Sequence, residues 1–277
     1  MQKILIVGLG LIGGSVAKAL KRNGTVEVIG FDNNEIITQK ALSDKAVDGI
    51  WDGESVTDAD LTVVCLSPVN TVQFLNNKGS LIKPNSVVTD VCGVKKWIVA
   101  NVLPIAEKYG FKFVGGHPMA GREVSGYINS MADLFDGASY IITPTKDTEA
   151  TQKVVDFAKK LGISEVTLTT PEKHDNIIAF TSQIPHVLAG SYVKSPYCRE
   201  HRGYSAGSYK DVSRVATVDE KLWSELFILN KESLCNEIDC LIENLNSYKK
   251  AIMAEDDRAL KTIIRNSRII KEADNRK

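Results

Sequence analysis

The chain has 277 residues, 43% of them hydrophobic and 25% charged, which is the range of soluble globular proteins and enough for one large or two ordinary domains. Lysine plus arginine equals aspartate plus glutamate at 34 each, so nucleic acid and acidic membrane surfaces lose their usual electrostatic motive, and a small-molecule partner is expected. The five cysteines (Cys65, Cys92, Cys198, Cys235, Cys240) form no CxxC pair, and neither a leader segment nor a run of eighteen apolar residues is evident, so a cytoplasmic protein with reduced thiols is expected.

Taken in chain order, short apolar runs alternate with helical segments as far as Thr143. Strands are expected at 4–7, 26–31, 61–66, 86–89, 113–114 and 140–143, several of them apolar without alternation, as parallel strands buried on both faces are. Helices are expected at 12–22, 35–42, 71–76 and 95–102. The pattern is that of an α/β, Rossmann-type doubly wound sheet. Beyond Pro144 a helix runs to about 161 and a short strand follows at 165–169. From Pro171 the apolar period is near 3.6 through 177–193, 222–229, 231–253 and 256–273, so a dinucleotide-binding domain over 1–170 and an all-helical domain over 171–277 are expected. Residues 194–209, with Pro196, Gly203 and Gly207, read as an irregular loop long enough to be functional.

Gly8, Leu9, Gly10, Leu11, Ile12 and Gly13 form GLGLIG directly after the strand ILIV and directly before an amphipathic helix. The glycines supply a tight turn, close backbone approach to a pyrophosphate and close helix-on-strand packing, and the helix N-terminus offers free N–H groups to phosphate. The second strand, VEVIGF, ends at Asp32, nineteen residues after Gly13, where an acid meets the adenosine ribose hydroxyls. A carboxylate there repels a 2′-phosphate, and none of the seven residues after it is Arg or Lys, so NAD is expected rather than NADP. Ser67 and Pro68 follow a later strand at its carboxyl end, either along the nicotinamide half of the cofactor or with Pro68 merely opening the next helix. Asp90, at another strand end, is assigned to the cofactor site as well.

The strand KFVGG runs straight into His117, delivering an imidazole to the same carboxyl edge. Oxidation of an alcohol needs a proton acceptor as hydride leaves carbon, and an imidazole with a pKa near ~6.5 is neutral enough at pH 7 to serve.

GGHPMAGRE around His117, SQIPHVLA around His186, YKDVSRVA around Arg214, and Trp223 nine residues on together resemble the prephenate dehydrogenase family, over essentially the whole chain and in the family's order. The resemblance implies oxidative decarboxylation of prephenate to 4-hydroxyphenylpyruvate in tyrosine biosynthesis, without a metal, by a Rossmann domain joined to a helical substrate-binding and dimerisation domain, hence a homodimer. By the same resemblance His117 is the catalytic base and Arg214 holds a substrate carboxylate. His186 and Gly207 line the substrate pocket, Glu123 gates or polarises it, and Trp223 helps to wall it off. The residues themselves leave humbler roles open for some of these: a core histidine at 186, a surface arginine at 214, a core aromatic at 223. His174, next to Asp175, is expected to be structural at the domain junction, and His201 to lie in a solvated loop.

Two positions depart from the family pattern. Gly93 stands where many members carry a serine, with Cys92, Lys95 or water as candidate substitutes, and Gln183 stands where some have a further pocket histidine. Arogenate dehydrogenase is the nearest alternative. A β-hydroxyacid or imine reductase lacks its helical-domain lysine here, and a non-catalytic NAD-binding sensor would need neither His117 nor Arg214. The chain is expected to carry no fused mutase or C-terminal regulatory domain, so that tyrosine feedback would act at the active site.

Overall fold

The computed structural model describes residues 1–24 and 26–275. The first half alternates strand and helix: β1 (Gln2–Val7), α1 (Leu11–Asn23), β2 (Val26–Phe31), α2 (Glu35–Ser43), β3 (Gly49–Ile50), β4 (Leu61–Val64), α3 (Pro68–Lys78), β5 (Val87–Asp90), α4 (Lys96–Tyr109) and β6 (Lys112–Pro118). β7 (Ser139–Thr143), α5 (Thr148–Lys160) and β8 (Glu165–Leu168) complete the sheet, and α6 (Pro171–Ile178), α7 (Ile184–Tyr192), α8 (Gly207–Ser213) and α9 (Glu220–Leu229) follow. The eight strands lie in the order β3-β2-β1-β4-β5-β6-β7-β8, parallel except where β7 runs antiparallel to β6.

Alternation along β1 shows why both sheet faces are covered. Ile4 and Ile6 enter one apolar cluster with Val16, Leu20 and Phe157, while Leu5 and Val7 enter another with Leu75, Val102 and Phe113. Each such buried side chain contributes about 1.5–3 kcal/mol of transfer free energy, which requires helices on both sides of the sheet. Strand order reverses between β1 and β4, and in open α/β sheets the crevice at such a reversal, beyond the carboxyl ends of the strands, is where ligands bind.

The chain divides into two compact units, Met1–Asn230 and Lys231–Lys277. The helices from α6 to α9 pack with the sheet half in the first of these units. Asp175 of α6 accepts the backbone N–H groups of Lys95 and Lys96 at 2.7 and 2.9 Å. The second unit is a hairpin of α10 (Lys231–Met253) and α11 (Asp257–Asp274). Asp256 caps α11 by accepting the N–H of Ala259 at 2.9 Å.

Local features differ from the expected pattern. β6 extends to Pro118 because Gly115 to Pro118 pair with β7, so His117 stands within a strand. The helix expected over 177–193 is interrupted by a π-helical stretch at Ala179–Gln183, immediately before Pro185, whose missing N–H cannot continue an α-helical ladder. Within the loop expected at 194–209, Gly207 opens the seven-residue α8. Among the described residues no helix is long and apolar enough to cross a membrane.

Candidate active site

The glycine turn is crowded at two of its glycines and open at the third. Gly8 has φ +86°, and a Cβ on it would meet Leu66 Cδ2 at 2.7 Å and the Cys65 carbonyl oxygen at 2.8 Å. A Cβ on Gly13 would lie 1.8 Å from the Gly8 carbonyl oxygen, so helix and strand touch backbone to backbone. Above Gly10, by contrast, nothing among the described residues lies within 4 Å of the Cβ position, and Gly10, as N-cap of α1, has no side chain to cap the helix. Open space beside uncapped helix N–H groups fits a pyrophosphate. Leu9 and Leu11 are themselves buried, and Leu9 lies in the core cluster, so their side chains face the protein interior.

Asp32 ends the second strand and accepts N–H bonds from Leu9 at 2.8 Å and Asn34 at 2.9 Å. It borders a cavity of about 340 Å³ with Gly8, Phe31, Asn33 and Asn70, of a size for the adenosine half of a dinucleotide. Ser67 precedes α3, and Pro68 is buried in its first turn, so proline does open a helix here. Ser67 and Asn70 border a second, larger cavity of about 700 Å³.

Asp90 corrects the sequence-based assignment. It is fully buried, accepting N–H bonds from Gly116 at 3.1 Å and Cys92 at 2.9 Å and pairing with the equally buried Lys95 ammonium. Both oxygens are committed inside the protein, so it buttresses β5 against β6 rather than facing a cofactor.

The larger cavity brings together Glu123, His186, Arg214 and Trp223, with Arg122 and Glu225 on its wall. Arg214 donates from Nη1 to Glu123 Oε1 at 2.7 Å. His186 stands with Nδ1 2.8 Å from the Val215 carbonyl oxygen, so Nδ1 carries the proton, and its ring packs on Trp223 with centroids 3.6 Å apart. Burial lowers its pKa, so the ring is neutral at pH 7. Glu225 Oε1 accepts the Val69 N–H at 2.7 Å, tying α9 to the first turn of α3.

Two residues expected in this pocket are elsewhere. Gln183 is buried, its Nε2 directed to the Leu226 carbonyl at 3.4 Å and its Oε1 accepting from Asn230 Nδ2 at 2.8 Å, so its amide is used in the core. Gly207 is exposed at the start of α8, outside the cavity lining.

His117 stands on β6, whose continuation Gly121 to Ser125 forms one wall of the larger cavity, although the imidazole itself is not part of that lining. Its Nδ1 lies 2.9 Å from His174 Nε2, and His174 Nδ1 lies 2.7 Å from Asp175 Oδ1. The partly buried ring turns its other edge to Gly93, where a Cβ would lie 3.8 Å from Cε1 and Nε2. Burial, with His174 and the Lys95 ammonium nearby, holds the His117 pKa well below the usual 6.5. Of the candidate substitutes for the family serine, the two side chains are both engaged elsewhere. Cys92 is buried against Thr71, with Sγ 3.6 Å from Oγ1, and Lys95 is paired with Asp90. The side chain that His117 does contact is His174, which is buried beside Asp175. His201, in its loop, stacks on Tyr209 at 4.1 Å.

The family comparisons agree with this geometry. The prephenate dehydrogenase nucleotide-binding domain matches residues 16–166, and the family's dimerization domain matches residues 170–266. A prephenate dehydrogenase of Lactococcus lactis is 29% identical over 99% of this chain and 77% of its own. The crystal structure of prephenate dehydrogenase from A. aeolicus, in complex with hydroxyphenyl propionate and NAD+, superposes with a TM-score of 0.87 at 29% identity, covering 99% of this chain and 98% of that one. Synechocystis arogenate dehydrogenase gives 0.83 at 25% identity, covering 98% and 99%. With both of its domains matched, the chain belongs to the prephenate dehydrogenase family.

Proposed function

We propose that this NAD-dependent oxidoreductase oxidatively decarboxylates prephenate to 4-hydroxyphenylpyruvate, with His117 as the proton acceptor. The observation that carries the proposal is the placing of His117, through its bond to His174, at the carboxyl edge that also holds the glycine turn and the wall of the Arg214 cavity. NAD, when bound, supplies the acceptor for the substrate's hydride. Gly8 to Gly13 and Asp32 hold it, with Ser67 toward the nicotinamide end. His117 takes the proton of the ring hydroxyl, and loss of the ring carboxylate as CO2 restores aromaticity. Arg214 grips a substrate carboxylate after leaving Glu123, and His186 and Trp223 form the apolar and hydrogen-bonding wall. The functional boundary between cofactor and substrate portions is placed near 170, at the start of α6.

Three carboxylates line the larger cavity, and in the free protein each accepts one donor: Glu123 has Arg214, Asp219 has the Leu222 N–H, and Glu225 has the Val69 N–H. Tyrosine, which shares ring and carboxylate with the product, competes in the same cavity. Ile242 and Leu245 of α10 and Ile264, Ile269 and Ile270 of α11 are exposed apolar residues, which supports pairing of two chains through this hairpin. The five cysteines are free thiols, in keeping with a reducing cytoplasm.

The deciding experiment follows absorbance at 340 nm with prephenate and arogenate, each with NAD and with NADP. The highest kcat/KM is expected for prephenate with NAD; a higher value for arogenate would transfer the substrate assignment, and one for NADP the cofactor assignment. Arg214→Ala is expected to raise KM for prephenate by about ten- to a hundredfold, as loss of a charge-assisted carboxylate bond does, with kcat reduced far less. A fall in kcat at unchanged KM would place Arg214 in the chemical step instead.

A further inference from the structure

We propose that His174 and Asp175 are positioning residues that lock the His117 imidazole in its Nδ1–H tautomer, leaving Nε2 bare on the edge that faces Gly93. The inference rests on the reading of His117 as proton acceptor and adds what sets its state.

The two oxygens of Asp175 receive the N–H groups of Lys95 and Lys96, the N-cap and first residue of α4, whose own N-cap side chain makes no capping bond. The carboxylate is thereby fixed in place at the positive end of a fourteen-residue helix. A carboxylate only accepts, so His174 Nδ1, 2.7 Å from Oδ1, must donate. His174 is buried and its pKa is lowered, first by that burial, so the ring is neutral and its Nε2 carries a lone pair. That lone pair faces His117 Nδ1 at 2.9 Å, which must then carry the proton. In a neutral imidazole the proton on Nδ1 leaves Nε2 free.

The Nε2 edge is the one with room beside it, since a Cβ at Gly93 would stand 3.8 Å away. The other tautomer would set two lone pairs against each other inside the protein and hold a proton on the edge that has to receive one. When Nε2 does take the substrate's proton, the new charge is spread along two hydrogen bonds toward Asp175, with no further proton transfer. The charged and titratable groups around the ring are His174 and Asp175 of α6, Lys95 before α4 and Asp90 of β5; the Lys95 ammonium, though paired with Asp90, disfavours a protonated His117.

The test is a ¹⁵N–¹H spectrum of the imidazoles in the whole protein, recorded above pH 7 without substrate. The chain has four histidines, and the His117 signals are those lost in His117→Gln. Protonated Nδ1 and bare Nε2 are expected at His117; a proton on Nε2 would overturn the proposal. Kinetics add a second arm. His174→Gln keeps an acceptor oxygen for His117 Nδ1 and should retain kcat within about tenfold, whereas His174→Leu should lose about two powers of ten or more in kcat with little change in KM, the cost of a wrong tautomer. Equal kcat in the two variants would overturn the proposal, and if His174→Leu does not fold, the wild-type spectrum still decides. A protein with the expected tautomer but no NADH formation from prephenate would refute the proposed function and not the lock.

Discussion

His117→Asn is expected to lower kcat by about two to four powers of ten while leaving substrate affinity within about threefold of wild type. An asparagine amide can donate to His174 Nε2 and turn its carbonyl oxygen toward the cleft, so the hydroxyl of a bound substrate still finds a hydrogen-bond acceptor. An amide oxygen is far too weak a base to keep the proton, and only the chemical step suffers. Steady-state rates at 340 nm, paired with titration of a non-reacting substrate analogue, separate the two effects. A variant that turns over at the wild-type rate would move the proton acceptor elsewhere. The same base sets the acid limb of the pH profile. Because burial keeps the His117 pKa below 6.5, kcat/KM should hold as pH falls to 6.5 and decline only below it, and His117→Asn should abolish that limb. Stability follows the same sign. His117, His174 and His186 all have lowered pKa values, so between those values and 6.5 the unfolded chain binds more protons and stability falls as pH falls through that window.

Features of local chemistry were legible in the sequence. The glycine turn reads directly because each glycine answers to a backbone neighbour a few residues away, or to the strand beside it, as Gly13 answers to Gly8. Asp32 reads from its place at the end of a strand, and His117 from a glycine pair leading to a strand terminus. The misread residues are those whose partners the fold supplies from afar. Asp90 looked available because nothing in the sequence shows Gly116 and Lys95 converging on its oxygens. Gln183 finds Asn230 47 residues away. The bond between His174 and His117, across a separation of 57, likewise leaves no signal in the sequence. α8 escaped notice because seven residues with an opening glycine carry too little periodicity to stand out from a loop.

Two single-methyl substitutions in the glycine turn should part cleanly, one in stability and the other in binding. At Gly13 a Cβ would fall 1.8 Å from the Gly8 carbonyl oxygen and 3.1 Å from the Cys65 Cβ, and the first contact is with backbone, which cannot swing aside. Gly13→Ala must push α1 off β1, overpacking that costs about 1–3 kcal/mol or more, so thermal unfolding should begin at least ~5 °C lower. At Gly10 the φ of −70° suits any residue and the Cβ position is empty to 4 Å, so Gly10→Ala should fold with a melting temperature within about 2 °C of wild type. That empty volume is where a pyrophosphate must come close to the backbone, and its partial filling should weaken NAD at least ~10-fold. Calorimetry of the free proteins and fluorescence titration with NADH measure both quantities. Gly10→Ala protein that binds NADH as wild type does would mean that the space above α1 is not the phosphate site, and the open helix end would then need a different occupant.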